Sequence, residues 1–91
     1  MVVWKFVLAT IPTDVRDRQV LEMPVGAQML TVQMQDDLLC LWALVDPNAP
    51  RASYTFRIAG TGHNIEEEKL LYIGSVLLFN DTIVFHVFQC D

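Results

Sequence analysis

Apolar and β-branched residues along this chain come in short runs, each closed by Pro, Gly, Asn or Asp, and no run keeps helical spacing. Val2 to Thr10 reads as a first strand, stopped at Ile11-Pro12-Thr13-Asp14, and the polar stretch Asp14 to Arg18 is long enough for one helical turn at most. Gln19 to Met23 is a second strand, ended by Pro24 and turned at Gly26. Gln28 to Gln35 alternates, with Gln28, Leu30, Val32 and Met34 on one face and Met29, Thr31, Gln33 and Gln35 on the other. Asp36-Asp37 turns it into Leu38 to Asp46 as a hairpin. After Pro47 to Pro50 comes Ser53 to Ala59, with Tyr54, Phe56 and Ile58 opposed to Thr55 and Arg57. Gly60-Thr61-Gly62-His63 reads as a flexible loop, and Asn64 as the cap of one helical turn through Glu66-Glu67-Glu68. Leu70 to Phe79 and Thr82 to Gln89 make a last hairpin across Asn80-Asp81.

About seven short strands joined by turns predict an all-β fold, a small antiparallel meander closed as a barrel or stacked as a sandwich. Residues 1–91 leave room for a single domain. Three of the strands are apolar on both faces: Leu38 to Val45, Leu70 to Phe79 and Ile83 to Phe88. An antiparallel sheet with one wet face would alternate instead. Each of these strands therefore has a core on one side and a partner or pocket on the other, which predicts a homo-oligomer.

Composition sharpens that expectation. Hydrophobic residues make up 53% of the chain. A folded monomer of its 10.4 kDa exposes about 5,400 Å² and buries roughly 64% of its chain surface. The net charge is −5, from 11 acidic and 6 basic residues. The basic residues are scattered, which excludes DNA, RNA and an anionic membrane surface as partners while leaving room for one small anion. No apolar run is long enough to span a bilayer, the first residues carry no basic leader, and Cys40 and Cys90 read as reduced thiols. A cytoplasmic location follows as an expectation.

Chemistry-bearing residues are few. The Gly60-Thr61-Gly62-His63 loop lets backbone approach a ligand closely, with Thr61 and His63 as added donors. Arg57, just upstream, has a fork suited to phosphate or carboxylate. His86, between Val84 and Phe88, is either a satisfied core histidine or a pocket donor, and Trp42 is a core, interface or pocket-wall aromatic. His63 and Glu66 lack further metal ligands at a familiar spacing, and neither cysteine has a histidine or basic residue beside it. These residues imply neither an enzyme, nor a metal, nor a cofactor.

The segments Cys40-Leu41-Trp42-Ala43-Leu44-Val45-Asp46-Pro47, Thr55-Phe56-Arg57-Ile58-Ala59-Gly60-Thr61-Gly62-His63 and Val84-Phe85-His86-Val87-Phe88, in that order, together resemble a family of small uncharacterised proteins encoded by tailed bacteriophages. That family has a proline after its GTGH segment, where this chain has Asn64. The resemblance implies a phage accessory protein in the host cytoplasm. The leading expectation is a non-enzymatic protein that sequesters a small anionic ligand, such as a nucleotide-derived defence signal, through Arg57, Gly60, Thr61, Gly62, His63, His86 and Trp42. The alternative is a protein–protein inhibitor of a host factor, or a structural or virion accessory protein.

Overall fold

Turn chemistry sets where the chain reverses. In the computed structural model, which describes residues 1–11, 17–67, 69–78 and 82–91, Asp36 takes the left-handed backbone (φ 53°) that the two-residue Asp36-Asp37 turn requires. Gly26 (φ 82°) follows Pro24-Val25 in a turn closed by the Ala27 N–H donating to the Pro24 carbonyl at 3.2 Å. The Asn80-Asp81 turn and most of the Asp14 to Arg18 stretch lie outside the described residues. Arg18 itself belongs to a strand.

Seven strands result, and the described residues contain no helix: β1 (Val2–Thr10), β2 (Arg18–Pro24), β3 (Gln28–Gln35), β4 (Leu38–Val45), β5 (Arg51–Gly60), β6 (Leu70–Leu78) and β7 (Ile83–Cys90). They form two antiparallel sheets, one ordered β1-β4-β3 and the other β2-β5-β7-β6. The all-β antiparallel expectation is met as two hydrogen-bonded sheets. A simple meander is not: β3–β4 and β6–β7 pair as sequence neighbours, whereas β1, β2 and β5 pair with strands further along the chain. Prolines explain part of this, since Pro24 and Pro50 end ladder pairing where the chain passes between sheets.

The core fills the space between the sheets: Leu8, Met23, Val32, Leu39, Leu41, Phe56, Ile58, Val76, Leu78 and Val87 are all buried in one cluster. Along β5, Phe56 and Ile58 point into it, so Arg57 and Ala59 point out. At one flank β3 approaches β6 so closely that a Cβ on Gly74 would sit 3.0 Å from Val32 Cγ2.

Bulges decide which side chains face out. Register shifts interrupt β1 between Val7 and Ala9, β3 between Met29 and Thr31, and β6 between Tyr72 and Gly74. Each inserts a residue and reverses the alternation beyond it. Met29 therefore packs against the core together with Val32 and Met34, while exposed Leu30 occupies the bulge. Likewise Tyr72 leaves the side occupied by Val76 and joins Ser75 on the outer face.

Candidate functional site

On the outer face of the four-stranded sheet, a row of polar side chains runs from β6 across β7 to the turn that ends β5. His86 on β7 lies between Ala59 of β5 and Ser75 of β6 in the ladder. Its Nδ1 is 2.8 Å from Ser75 Oγ and its Nε2 is 2.9 Å from Thr61 Oγ1. Ser75 Oγ in turn lies 2.6 Å from Tyr72 Oη. A neutral imidazole donates through one nitrogen and accepts through the other, so one of the two His86 contacts is donated and the other accepted. His86 is half-buried, and Tyr72 packs tilted on Phe88 at 5.5 Å between ring centroids.

Thr61 is placed by the turn that ends β5. The His63 N–H donates to the Gly60 carbonyl at 3.1 Å, and Gly62 has φ 88°, the glycine position of a type II turn. The segment expected to be a flexible loop is therefore a defined turn with Thr61 and His63 exposed on it. It borders a cleft of about 610 Å³ lined by Gly60, Thr61, His63, Thr82, Ile83, Val84 and Phe85. Gly60 has no Cβ where the His63 ring lies: an added Cβ would sit 2.9 Å from His63 Cε1.

Arg57 occupies a different place, buried beneath the segment that follows this turn. Its Nη1 donates to the Ile58 carbonyl at 2.7 Å and the Asp17 carbonyl at 3.3 Å. Nη2 donates to the Asn64 carbonyl at 2.9 Å, and Nε to Glu67 Oε1 at 3.3 Å. Asn64 to Glu67 forms no helical turn. The expected cap is replaced by the Asn64 carbonyl accepting from Arg57, because a buried guanidinium draws every acceptor in reach. A second cleft, of about 470 Å³, is lined by Asp17, Arg18, Arg57, Asn64, Glu66 and Glu67.

Burial by itself would raise the Glu67 carboxyl. Its backbone hydrogen bond and the charges of Arg18 and Arg57 together outweigh that and hold it below its ordinary value of 4.5. The Cys90 thiol is pushed up, first by burial and then by the Glu67 charge, so it stays protonated and weakly nucleophilic. Both cysteines are free, Cys40 on one sheet and Cys90 on the other. Among the described residues no His, Cys, Asp or Glu group could hold a metal ion, and no helix is long and apolar enough to cross a membrane.

The structure thus gathers Gly60, Thr61, Gly62, His63 and His86 at one end of the four-stranded sheet and sets Arg57 alongside, under residues 64–67. Trp42 stands apart: it pairs with Lys5 and Thr31 in the other sheet, on the face opposite Leu41. Sequence reading missed Tyr72 and Ser75, because the bulge changes their faces. It also missed Arg18 and Glu67, because only the fold brings them to Arg57. Gly74 inside an apolar strand was the available signal for the bulge.

Fold and site together define a two-sheet, antiparallel all-β domain with a polar row and two open clefts flanking one chain segment. The chain belongs to the family described as a domain of unknown function, DUF7352, matched over residues 1–91. No match to a curated protein or to a solved structure accompanies it.

Proposed function

We propose that this protein is a non-enzymatic phage accessory protein that captures a small anionic ligand, of the nucleotide-derived kind used as a defence signal, in the host cytoplasm. The observation that carries the reading is the Gly60–His63 turn standing between the His86 row and a cleft of about 610 Å³. That volume is in the range of small-molecule sites, about 300–1,000 Å³. Ile83, Val84 and Phe85 supply an apolar wall for a ring, and Thr61 and His63 supply donors for its polar groups. A binding role without turnover is supported by His86, whose two ring nitrogens both face hydroxyls of the fold.

The test is thermal melting against cyclic dinucleotides, cyclic oligonucleotides and ADP-ribose derivatives. A ligand binding only the folded state stabilises it by about 2.7 kcal/mol at a hundredfold excess over Kd, an easily read shift. The compound should return unchanged after denaturation. His63→Ala should weaken binding while leaving the unliganded melting point nearly unaltered. Gly60→Ala should act similarly, because its Cβ drives the exposed His63 ring out of place. A silent panel, or full affinity in both variants, rejects the assignment.

A second reading, association through a protein surface, is favoured by the outer face of the three-stranded sheet. Its strands contain no Asp or Glu, and Lys5 is their single charge, in a chain with 11 acids. Val3 (56% exposed) and Val7 (44%) flank half-buried Trp42 and Leu44 on it. Two copies of a protein of charge −5 meet with least repulsion there. Sedimentation should show a concentration-dependent dimer that Trp42→Arg converts to monomer. A wild-type monomer at all concentrations up to about 100 μM would leave only contacts far weaker than a standard-size interface supports.

A further inference from the structure

Arg18 and Arg57 are direct cross-strand partners on β2 and β5. Like charges in that arrangement repel, and the chain answers with one carboxylate set between them. Glu67 Oε1 lies 3.3 Å from Arg57 Nε, and Oε2 lies 2.9 Å from Arg18 Nη2. The fit is uneven. The Arg57 contact is longer than the roughly 2.7–2.9 Å of a charge-assisted N–H···O bond, and Glu67 Oε2, at ion-pair distance from Arg18, is buried without an aligned hydrogen-bond donor. The Arg18 side chain is 62% exposed and lines the cleft of about 470 Å³. Arg57 already gives its N–H groups to Glu67 and to the Ile58, Asp17 and Asn64 carbonyls, so the spare donors are those of Arg18 and those that departure of residues 64–67 would release, beside a space that a larger anion can enter.

We propose that the Arg18–Arg57 pair is an anion site for a phosphate or pyrophosphate group, and that Glu67 is its built-in competitor. A phosphoryl group presents three acceptor oxygens and more charge than a carboxylate, and matches the guanidinium fork. Its entry displaces Glu67 and frees residues 64–67 from Arg57. Glu66 leaves with that segment. The Asp17 carboxylate, 3.8 Å from Arg57 Nη1, is 85% exposed, where solvent and salt screen it. The displaced segment continues directly from the Gly60–His63 turn, so anion entry repositions Thr61 and His63. This deepens the ligand-binding reading by naming the ligand's anionic group, and it rests on that reading for biological purpose though not for its chemistry.

A tethered carboxylate competes at an effective concentration on the order of millimolar, so removing its charge should expose the site. Calorimetric titration with inorganic pyrophosphate should show Glu67→Gln binding at least tenfold tighter than wild type, with Arg18→Ala in that background abolishing the gain. Equal affinity of Glu67→Gln and wild type, or indifference to Arg18→Ala, overturns the proposal. Should Glu67→Gln fail to fold, the wild-type protein decides by NMR. The Arg57 Nε–H signal and the amides of residues 61–67 should shift saturably with pyrophosphate, and unmoved signals reject the site. A pyrophosphate response with a silent nucleotide panel would retain the anion site and reject the wider ligand reading. The reverse pattern would retain the ligand and remove it from this site.

Discussion

Arg57→Ala should destabilise the domain by about 3 kcal/mol, the scale set by losing several hydrogen bonds to one buried charged group. The guanidinium joins β5 to the carbonyls of Asp17 and Asn64 and to the Glu67 carboxylate. Its removal leaves the Ile58 carbonyl without its 2.7 Å side-chain donor as well. Arg57→Lys should recover little, since a single ammonium cannot fork toward acceptors on opposite sides. Urea unfolding reads the loss as a lower midpoint at unchanged slope. The effect should depend on pH with a definite sign. Glu67 titrates below its ordinary 4.5 in the folded protein, so its contribution is present above that value and fades as pH falls through the folded pKa. The gap between wild type and Arg57→Ala should therefore narrow on acidification below pH 4.5. A gap that stays constant or widens there would show that the ion pair is not what Arg57 contributes.

Phe56→Ala should be costlier still, about 3–5 kcal/mol by the usual price of emptying a buried aromatic site. Phe56 is fully buried in the inter-sheet cluster. Its chain neighbour Arg57 points the other way, so the two substitutions act on separate contacts. Total stability for a chain of this size is roughly 5–14 kcal/mol, so losing Phe56 removes a large share of it. Melting should fall by at least about 12 °C at 4–8 °C per kcal/mol. Val20→Ala, at a site 60% exposed on β2, should change stability by no more than about 0.5 kcal/mol. Comparable losses in the two variants would contradict the placement of the core.

Much of the fold was legible along the chain because strand signals are local. Val2 to Thr10 and Gln28 to Gln35 match the observed strands residue for residue, and the alternation of β5 gave the correct inward set. Turn residues also carried their own information: Asp36 and Gly26 adopt the backbone conformations their chemistry permits. Asn64 did not follow its local signal, because Arg57, seven residues earlier, takes its carbonyl. Tertiary demand from a buried charge outweighed a weak capping preference.

The polar row was half legible. Thr61, His63 and His86 stood out as chemistry-bearing types near glycine or on an apolar strand, and the fold brings Thr61 to His86. Ser75 and Tyr72 were hidden, since in a regular strand residues three apart face opposite ways. The register shift between Tyr72 and Gly74 puts both on one face.

The sequence by itself determined strand content, most turn positions and the inward alternation of the unbulged β5, because these follow from backbone preferences and from side-chain period over a few residues. It also set the acid-free composition of β1, β3 and β4. Only the tertiary structure decided the division into two sheets, the pairing of β5 with both β2 and β7, and the bulges that reassign faces. It alone set Arg18 opposite Arg57 with Glu67 between them. Those outcomes depend on which distant strands bury their apolar faces against one another, and on where buried charges must then find partners.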